Sequence, residues 1–205
     1  MTILSIILSL FPTLILLLTG STIVYFIYSH NIFCIFAILF FIYGLPLVVF
    51  RLHEKIVPIP QKISYLIGKK YSPWWGSHQI QVIYIAIPLL ESILRLIPGM
   101  FSLWLKLWGS KIGKNVYWTP SLEIADRSLL EIGDNVVIGH RVAFSSHVIK
   151  PKKENLMLYV KKVKIGNNVF VGGGSMIAPG VVINDGQFIQ VNTILLPNQK
   201  IGRVC

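Results

Sequence analysis

A six-residue repeat runs through the C-terminal half of the chain, from Ile112 to the end of the 205-residue sequence. Read in sixes, the chain gives IGKNVY, WTPSLE and IADRSL, then, after two extra residues, IGDNVV, IGHRVA and FSSHVI. After a longer break come IGNNVF, VGGGSM, IAPGVV, INDGQF, IQVNTI, LLPNQK and IGRVC. The first residue of every hexad is Ile, Val, Leu, Phe or Trp, and the second is most often small.

This strict period predicts strands and excludes an α-helix. A helix with about 3.6 residues per turn would spread the first positions around its axis. Short strands joined by tight corners keep those positions on one side, so the repeat predicts a stack of coils with the first residues pointing inward. The small second residue is expected to let the backbone turn.

Three phrases of the repeat, SKIGKNVY, EIGDNVVIG and VKIGNNVFVGGGSMIAPGVVI, resemble the hexapeptide-repeat acyltransferases, which fold as a left-handed parallel β-helix. The resemblance covers residues 110–205. It implies three hexads per coil and a homotrimer with its active sites between subunits. The predicted coils begin at Ile112, Ile132, Ile165, Ile183 and Ile201.

The repeat is interrupted after Ser146 and resumes at Val163. The family resemblance implies an external loop there, over residues 148–162, directly after the catalytic histidine. His147 occupies that place and would be the general base that takes a proton from the acceptor. His140 is interpreted as a surface residue, and the serines at 145 and 146 are expected to shape the corner. A Ser–His nucleophile pair is the alternative, but it would need a third group to orient the histidine, and the sequence identifies none.

The resemblance also implies an acyl-CoA as the donor, either acetyl-CoA or another acyl-CoA. No metal ion is expected. Matched residue by residue, Gly173 takes the place whose amide approaches the thioester, Val191 that of a small residue, and Phe170 that of a tryptophan lining the cofactor groove. Lys200 or Arg203 would meet a phosphate. The phrase IQVNTILLPNQKIG departs from the family's pattern, so an acyl-carrier-protein thioester stays open as donor.

Two other functions use the same architecture. In γ-type carbonic anhydrases three histidines bind a metal between subunits, but only His140 and His147 lie in these repeats, so a third ligand is missing. A non-catalytic membrane scaffold is the other alternative.

The N-terminal 50 residues contain no Lys, Arg, Asp or Glu. Two apolar stretches, 3–28 and 32–50, are separated by the polar residues SHN, and each is long enough to cross a bilayer. Residues 1–50 are therefore predicted to form a transmembrane helical hairpin. Basic residues follow the second stretch and none lies in the SHN break, so we expect an integral protein of the cytoplasmic membrane with its β-helix on the cytoplasmic side.

Residues 51–110 combine basic side chains with apolar and aromatic patches, which favours interfacial helices lying on the leaflet. A third span across 79–98 is a minority alternative, because it would place Glu91 and Arg95 in hydrocarbon. These two residues stand four apart and could pair on a helix. The net charge of +11 favours an anionic leaflet or phosphorylated substrates as the partner, rather than nucleic acid.

Taken together, the sequence predicts a mainly β protein with three parts, 1–50, 51–110 and 111–205. The expected activity is transfer of an acyl group from acyl-CoA to a hydroxyl or amine, and the expected acyl group is acetyl. Because the chain is anchored, the acceptor is expected to be membrane-associated, such as a lipid-linked saccharide.

Overall fold

The computed structural model describes residues 2–202 and divides the chain into two compact units. Unit 1 comprises Met1–Pro60 and Gly68–Ile83, and unit 2 comprises Gln61–Ile67 and Tyr84–Cys205. The helices, in chain order, are α1 Ile3–Ser9, α2 Phe11–Ser29, α3 Phe33–Leu39, α4 Leu45–Ile56, α5 Pro73–Ala86, α6 Leu89–Arg95 and α7 Met100–Trp108, with a π-helical turn, Phe40–Gly44, between α3 and α4.

Unit 1 contains the two apolar stretches. Among the described residues, Ile3–Ser29 and Phe33–Ile56 are each long and apolar enough to cross a membrane, with mean hydropathies of 2.4 and 2.7. They are separated by a break at His30, whose φ of 49° ends α2 in the left-handed region. The second helix continues six residues beyond the predicted end at Phe50. A third candidate exists only if Pro73–Ala86 and Leu89–Arg95 are counted as one span.

Unit 2 is built on a left-handed parallel β-helix with very short strands. In chain order the strands are β1 Ile63–Tyr65, β2 Lys111–Ile112, β3 Tyr117–Trp118, β4 Glu123–Ile124, β5 Leu130–Ile132, β6 Val137–Ile138, β7 Ala143–Phe144, β8 His147–Lys152, β9 Asn155–Val160, β10 Val163–Ile165, β11 Phe170–Val171, β12 Met176–Ile177, β13 Val182–Ile183, β14 Phe188–Ile189, β15 Ile194–Leu195 and β16 Lys200–Ile201.

Three parallel sheets form the faces of the β-helix. Sheet I has the order β16-β13-β10-β5-β2, sheet II β14-β11-β6-β3 and sheet III β15-β12-β7-β4. In sheet I the predicted coil starts are in register: Ile112 pairs with Ile132, Ile132 with Ile165, Ile165 with Ile183 and Ile183 with Ile201. The predicted fold and coil phase are confirmed. First-position residues such as Ile138 and Val171 are fully buried, so stacked aliphatic side chains form the core.

The residue that turns the chain is the fourth of most hexads, not the second as predicted. Fourth-position residues with φ between 52° and 75° are Asn115, Ser121, Asn135, Arg141, Asn168, Gly174, Gly180, Gly186, Asn192 and Asn198. Asn and Gly suit this left-handed conformation because it costs them little. The second residue is small because coils approach closely there: a Cβ on Gly133 would lie 2.7 Å from the carbonyl carbon of Gly166.

Helices α6 and α7 belong to unit 2 and are anchored by a buried ion pair. Arg127 donates to Glu91 from Nε at 2.6 Å and from Nη2 at 2.9 Å, and both side chains are almost fully buried. Trp104 Nε1 donates to the same carboxylate at 2.9 Å. Glu91 therefore pairs with the β-helix and not with Arg95, contrary to the pairing considered from sequence. A position in hydrocarbon would deprive Glu91 of these partners, which disfavours the third span.

The segment predicted as an external loop folds as a β-hairpin. Strands β8 and β9 are antiparallel, and β1 joins them on the β9 side. Residues 51–110 were predicted to form interfacial helices, and the structure adds the short strand β1 to this segment. The physical reason is that the hairpin leaves an unpaired strand edge, which β1 satisfies with backbone hydrogen bonds.

Candidate active site

His147 lies at the corner that follows β7, where the chain leaves the β-helix to form β8. It is the fourth residue of its hexad. Arg127, one coil earlier, has the same place in the hexad IADRSL. Among the described residues, these are the fourth positions inside the coils that lack a positive φ. At each the chain departs from the repeat, after Arg127 with Leu130 and Glu131 and after His147 with the hairpin.

The His147 ring is held by a carboxylate from the preceding coil. Nδ1 of His147 lies 2.7 Å from Oδ2 of Asp126, and the Ser146 amide donates to the same oxygen at 3.1 Å. The Asp126 side chain is 3% exposed and that of His147 16%. A buried carboxylate on Nδ1 fixes the orientation of the ring and stabilises the imidazolium that forms when Nε2 accepts a proton. The geometry therefore suits a general base.

The two serines of this corner hydrogen-bond to the backbone. Ser145 Oγ donates to the His147 carbonyl at 2.6 Å, and Ser146 Oγ donates to the Leu129 carbonyl at 3.1 Å. Both hydroxyls thus fix the shape of the corner, as expected from the sequence. This arrangement supports His147, rather than either serine, as the reactive group.

Asp126 is the functional residue that sequence reasoning missed. Its hexad is shifted by two extra residues relative to the next coil, so Asp126 lies 20 residues before Ser146 and stacks directly beneath it. The available signal was an acidic residue at the equivalent corner of the preceding coil. Aligning the coils across the insertion places IADR beneath FSSH and brings Asp126 to His147.

Three of the residues assigned to the donor lie along one edge of the β-helix. Gly173 and Val191 are third-position residues at the corners between sheets II and III, and Phe170 precedes this edge on sheet II. Phe170 points outward and stacks on Phe188 with ring centroids 5.3 Å apart. A Cβ on Gly173 would lie 2.9 Å from the His140 carbonyl oxygen, so the corner leaves little room for a side chain there.

The remaining donor assignments lie elsewhere. Lys200 is exposed on β16 in sheet I and is not brought together with Gly173. Arg203 lies outside the described residues. His147 is at the opposite edge of sheet III from Gly173. Within residues 2–202, no three His, Cys, Asp or Glu side chains are grouped so as to hold a metal ion.

No protein-family model matches the chain. Among curated proteins, galactoside O-acetyltransferase of Escherichia coli (strain K12) is 37% identical over 87 residues, which cover 41% of this chain. The match spans 43% of that relative, which is less than half of its length. It therefore relates a region of this chain, and not the whole protein, to the acetyltransferase.

Two solved structures are similar over somewhat more than half of the chain. A hexapeptide-repeat-containing acetyltransferase from Vibrio cholerae is 16% identical, with a TM-score of 0.41, and covers 57% of this chain and 82% of its own. A galactoside acetyltransferase in complex with coenzyme A is 21% identical, with a TM-score of 0.39, covering 55% and 72%. The fold itself is established by the strand register described above. The β-helical region of this chain is therefore similar in sequence, over 87 residues, to an acetyltransferase, and its strands form the stacked parallel coils that the hexad repeat predicts.

Proposed function

We propose that this protein transfers an acyl group from acyl-CoA to a hydroxyl or amine, with acetyl as the expected group and His147 as the general base. The observation that carries the proposal is the 2.7 Å contact between His147 Nδ1 and the buried Asp126 carboxylate. An idle surface histidine has no need of a buried anion, which is costly unless paired. The coenzyme A complex of the galactoside acetyltransferase supports the choice of donor.

In this mechanism the acceptor gives its proton to Nε2 of His147 as its oxygen or nitrogen attacks the thioester carbonyl. Asp126 stabilises the resulting imidazolium. Backbone amides such as that of Gly173 would receive the oxyanion. Collapse of the tetrahedral intermediate breaks the carbon–sulfur bond, and the departing thiolate takes the proton back from the imidazolium.

A homotrimer is part of the proposal. His147 and Gly173 lie on opposite edges of sheet III, so a neighbouring subunit could complete each site, as the family resemblance implies. Light scattering of the detergent-purified protein, with the micelle subtracted, should give the mass of three chains. An active monomer would overturn the shared site.

The proposed location is the cytoplasmic membrane, supported by the two apolar stretches Ile3–Ser29 and Phe33–Ile56. The charge-free break between them and the basic residues that follow favour a cytoplasmic β-helix. An accessible-cysteine or reporter assay on the hairpin at Glu154 would test this orientation, and labelling from the outer side would reverse it. Anchoring favours an acceptor in the membrane, such as a lipid-linked saccharide.

The central test uses the full chain in detergent with radiolabelled acetyl-CoA and a lipid extract of the source cells as the acceptor pool. His147→Ala should lower the rate of acetyl transfer by about 10²–10⁴, the usual contribution of a general base. Wild-type activity should fall as the pH is lowered, because a protonated imidazole cannot accept a proton. His140→Ala is the matched control and should change the rate little. A His147→Ala protein with wild-type activity would remove the proposed catalyst.

A further inference from the structure

A cavity of about 350 Å³ lies over the outer face of sheet III. Outward residues of three successive strands, Glu123, Ala143 and Met176, form its floor. Ala143 is small, whereas the same hexad position on sheet II is filled by Phe170 and Phe188. The missing side-chain volume at this position helps to create the cavity. Its volume falls within the range of about 300–1,000 Å³ that is typical of ligand sites.

The opposite wall comes from the segment that leads into α6. Tyr84, Ile85, Pro88 and Glu91 line it. The charge of Glu91 is balanced by its buried ion pair with Arg127, whose guanidinium lies 5.1 Å from the centre of the Tyr84 ring. Besides the exposed Glu123, the paired charges of Glu91 and Arg127 and the hydroxyls of Tyr84 and Ser145, the lining is apolar, which suits a hydrocarbon group better than a charged one.

One end of the cavity reaches the corner that carries the proposed base. Ala125 and Arg127 line it on either side of Asp126, and Ser145 lines it two residues before His147. Ser145 also donates a hydrogen bond to the His147 carbonyl. A molecule bound in the cavity would thus have one end next to the Asp126–His147 pair.

An exposed apolar surface continues from the cavity wall along α6 and α7. Its residues are Ile85, Leu89, Ile93, Leu96, Leu103 and Leu107, all of them exposed. The other side of α7 is buried through Phe101, Trp104 and Trp108, so the helix is apolar on both sides. So many exposed apolar side chains on two successive helices are unfavourable in water and are typical of contact with lipid.

We infer that the cavity binds the hydrocarbon chain of the acyl acceptor, a lipid with a hydroxyl or amine at one end. This inference rests on the proposed function and assigns its substrate class. The lipid-compatible surface beside the cavity provides the route of entry, and the His147 corner receives the nucleophile. The hydrocarbon is assigned to the acceptor and not to the donor, because Ala125 and Ser145 bring one end of the cavity to the corner that carries His147, the proposed base for the acceptor.

The test fills the cavity with Ala143→Phe in the full chain, reconstituted in phosphatidylcholine nanodiscs. Phenylalanine is compatible with this coil position, since Phe170 and Phe188 occupy it on sheet II. The control is Val182→Phe, at the same hexad position on sheet I and outside the cavity. The probe is a long-chain primary alcohol with a diazirine in its hydrocarbon chain, and mass spectrometry maps the labelled peptides.

We expect saturable labelling near residues 85–88, 143–145 and 176 that excess unlabelled alcohol prevents. Ala143→Phe should reduce this labelling by about tenfold or more, an effect comparable with the loss of a few methylene contacts. Val182→Phe should leave the labelling unchanged. The Michaelis constant for acetylation of the same alcohol should rise in Ala143→Phe, while that for acetyl-CoA stays constant.

The outcomes separate the two proposals. Saturable cavity labelling without acetyl transfer to any acceptor would support the hydrocarbon site and reject the acyltransferase activity. Transfer to a long-chain alcohol that is unaffected by Ala143→Phe, with no labelling of the cavity, would overturn the inference while the activity stands. Cavity labelling by a diazirine-bearing long-chain acyl-CoA, but not by the alcohol, would assign the cavity to the donor and also overturn it.

Discussion

Two kinds of corner close the coils of the β-helix, and they differ at the fourth residue of the hexad. At the regular corners this residue is left-handed, and its side chain often bonds to its counterpart in the next coil. Asn115 donates to Asn135, and Asn135 donates to Asn168, each at 3.1 Å. At the two irregular corners, Arg127 and His147 have ordinary φ and the chain leaves the coil.

The side chains at the two kinds of corner therefore have different kinds of partner. At the regular corner of Asn115, Asn135 and Asn168 the side chains bond to one another, so this corner offers little to a ligand. The irregular corners use partners from outside the repeat position: Arg127 binds Glu91 of α6, and His147 binds Asp126. The proposed base therefore lies at a corner where the repeat is interrupted, and variants of Asn135 and of the His147 corner should behave differently.

The largest effect on folding is expected at the irregular corner of Arg127. Arg127→Met removes the cation and leaves the buried Glu91 carboxylate with the Trp104 indole as a hydrogen-bond donor but without its counter-charge. Loss of one partner of a buried ion pair costs about 3–5 kcal/mol. Denaturant unfolding in detergent, followed by tryptophan fluorescence, should show this loss in the free energy of unfolding.

Two further variants test the cause. Glu91→Leu combined with Arg127→Met should recover most of the lost stability, because no unpaired charge remains. Arg95→Met, on a guanidinium that is only partly buried, should cost clearly less than Arg127→Met. Equal losses at 95 and 127 would show that the ion pair has no special part in joining α6 to the β-helix.

At the His147 corner the expected effect is on rate. Asp126→Asn keeps a side chain of similar shape but removes the anion that stabilises the imidazolium. The turnover number should fall by about ten- to hundredfold, less than for loss of the base itself. The Michaelis constant for acetyl-CoA should stay close to that of the wild type. A rise in that constant with unchanged turnover would assign Asp126 to donor binding instead.

A regular corner should affect stability alone. Asn135 has a φ of 55°, so Asn135→Ala forces a Cβ-bearing residue without a polar side chain into the left-handed region, at a cost of about 1–2 kcal/mol. Asn135→Gly should recover most of this cost, because glycine adopts the conformation freely. Acetyl transfer per folded molecule should be unchanged in both. If Asn135→Ala lowered the rate as Asp126→Asn does, the distinction between the corners would fail.

The sequence could predict the coils because their cause is repeated. Each inward aliphatic residue makes the same contact with the coil above and below, so the starts at Ile132, Ile165 and Ile183 follow from spacing alone. The break after Ser146 likewise predicted where the chain leaves the coil. The turning residue was misassigned because two different causes favour glycine. Close approach of neighbouring coils favours it at the second position of the hexad, and a left-handed φ favours it at the fourth.

The partners of the irregular corners could not be read from spacing. Arg127 and Glu91 are 36 residues apart, and Glu91 lies in a helix whose more obvious partner by local spacing is Arg95. Asp126 was obscured by the two-residue insertion that shifts its coil against the next. The addition of β1 to the hairpin depends on an unpaired strand edge that exists only in the folded chain. Such contacts depend on tertiary packing and carry no local signal.

The smallest effect is expected at Glu131, on the outer face of sheet I, where a cluster of charged side chains lies on a regular strand. Its carboxylate contacts Lys162 at 3.1 Å and Lys164 at 3.0 Å, and about a fifth of the side chain is exposed. Burial alone would raise the pKa of Glu131, but hydrogen bonds and charge from Lys164 and Lys162 outweigh it and hold the pKa below its ordinary value of 4.5.

Because the folded-state pKa is lowered, the contribution of Glu131 to stability is present above pH 4.5 and is lost as the pH falls through the folded-state value. Glu131→Gln should therefore destabilise the protein near neutral pH by less than about 1 kcal/mol, since the cluster is partly screened by solvent. The difference from wild type should shrink as the pH drops below 4.5, and added salt should reduce it at neutral pH. Glu154→Gln, in the exposed turn of the hairpin, is the matched control, and unfolding curves at several pH values provide the measurement. A Glu131→Gln difference that grows toward acid pH would contradict the lowered pKa and the ion cluster that explains it.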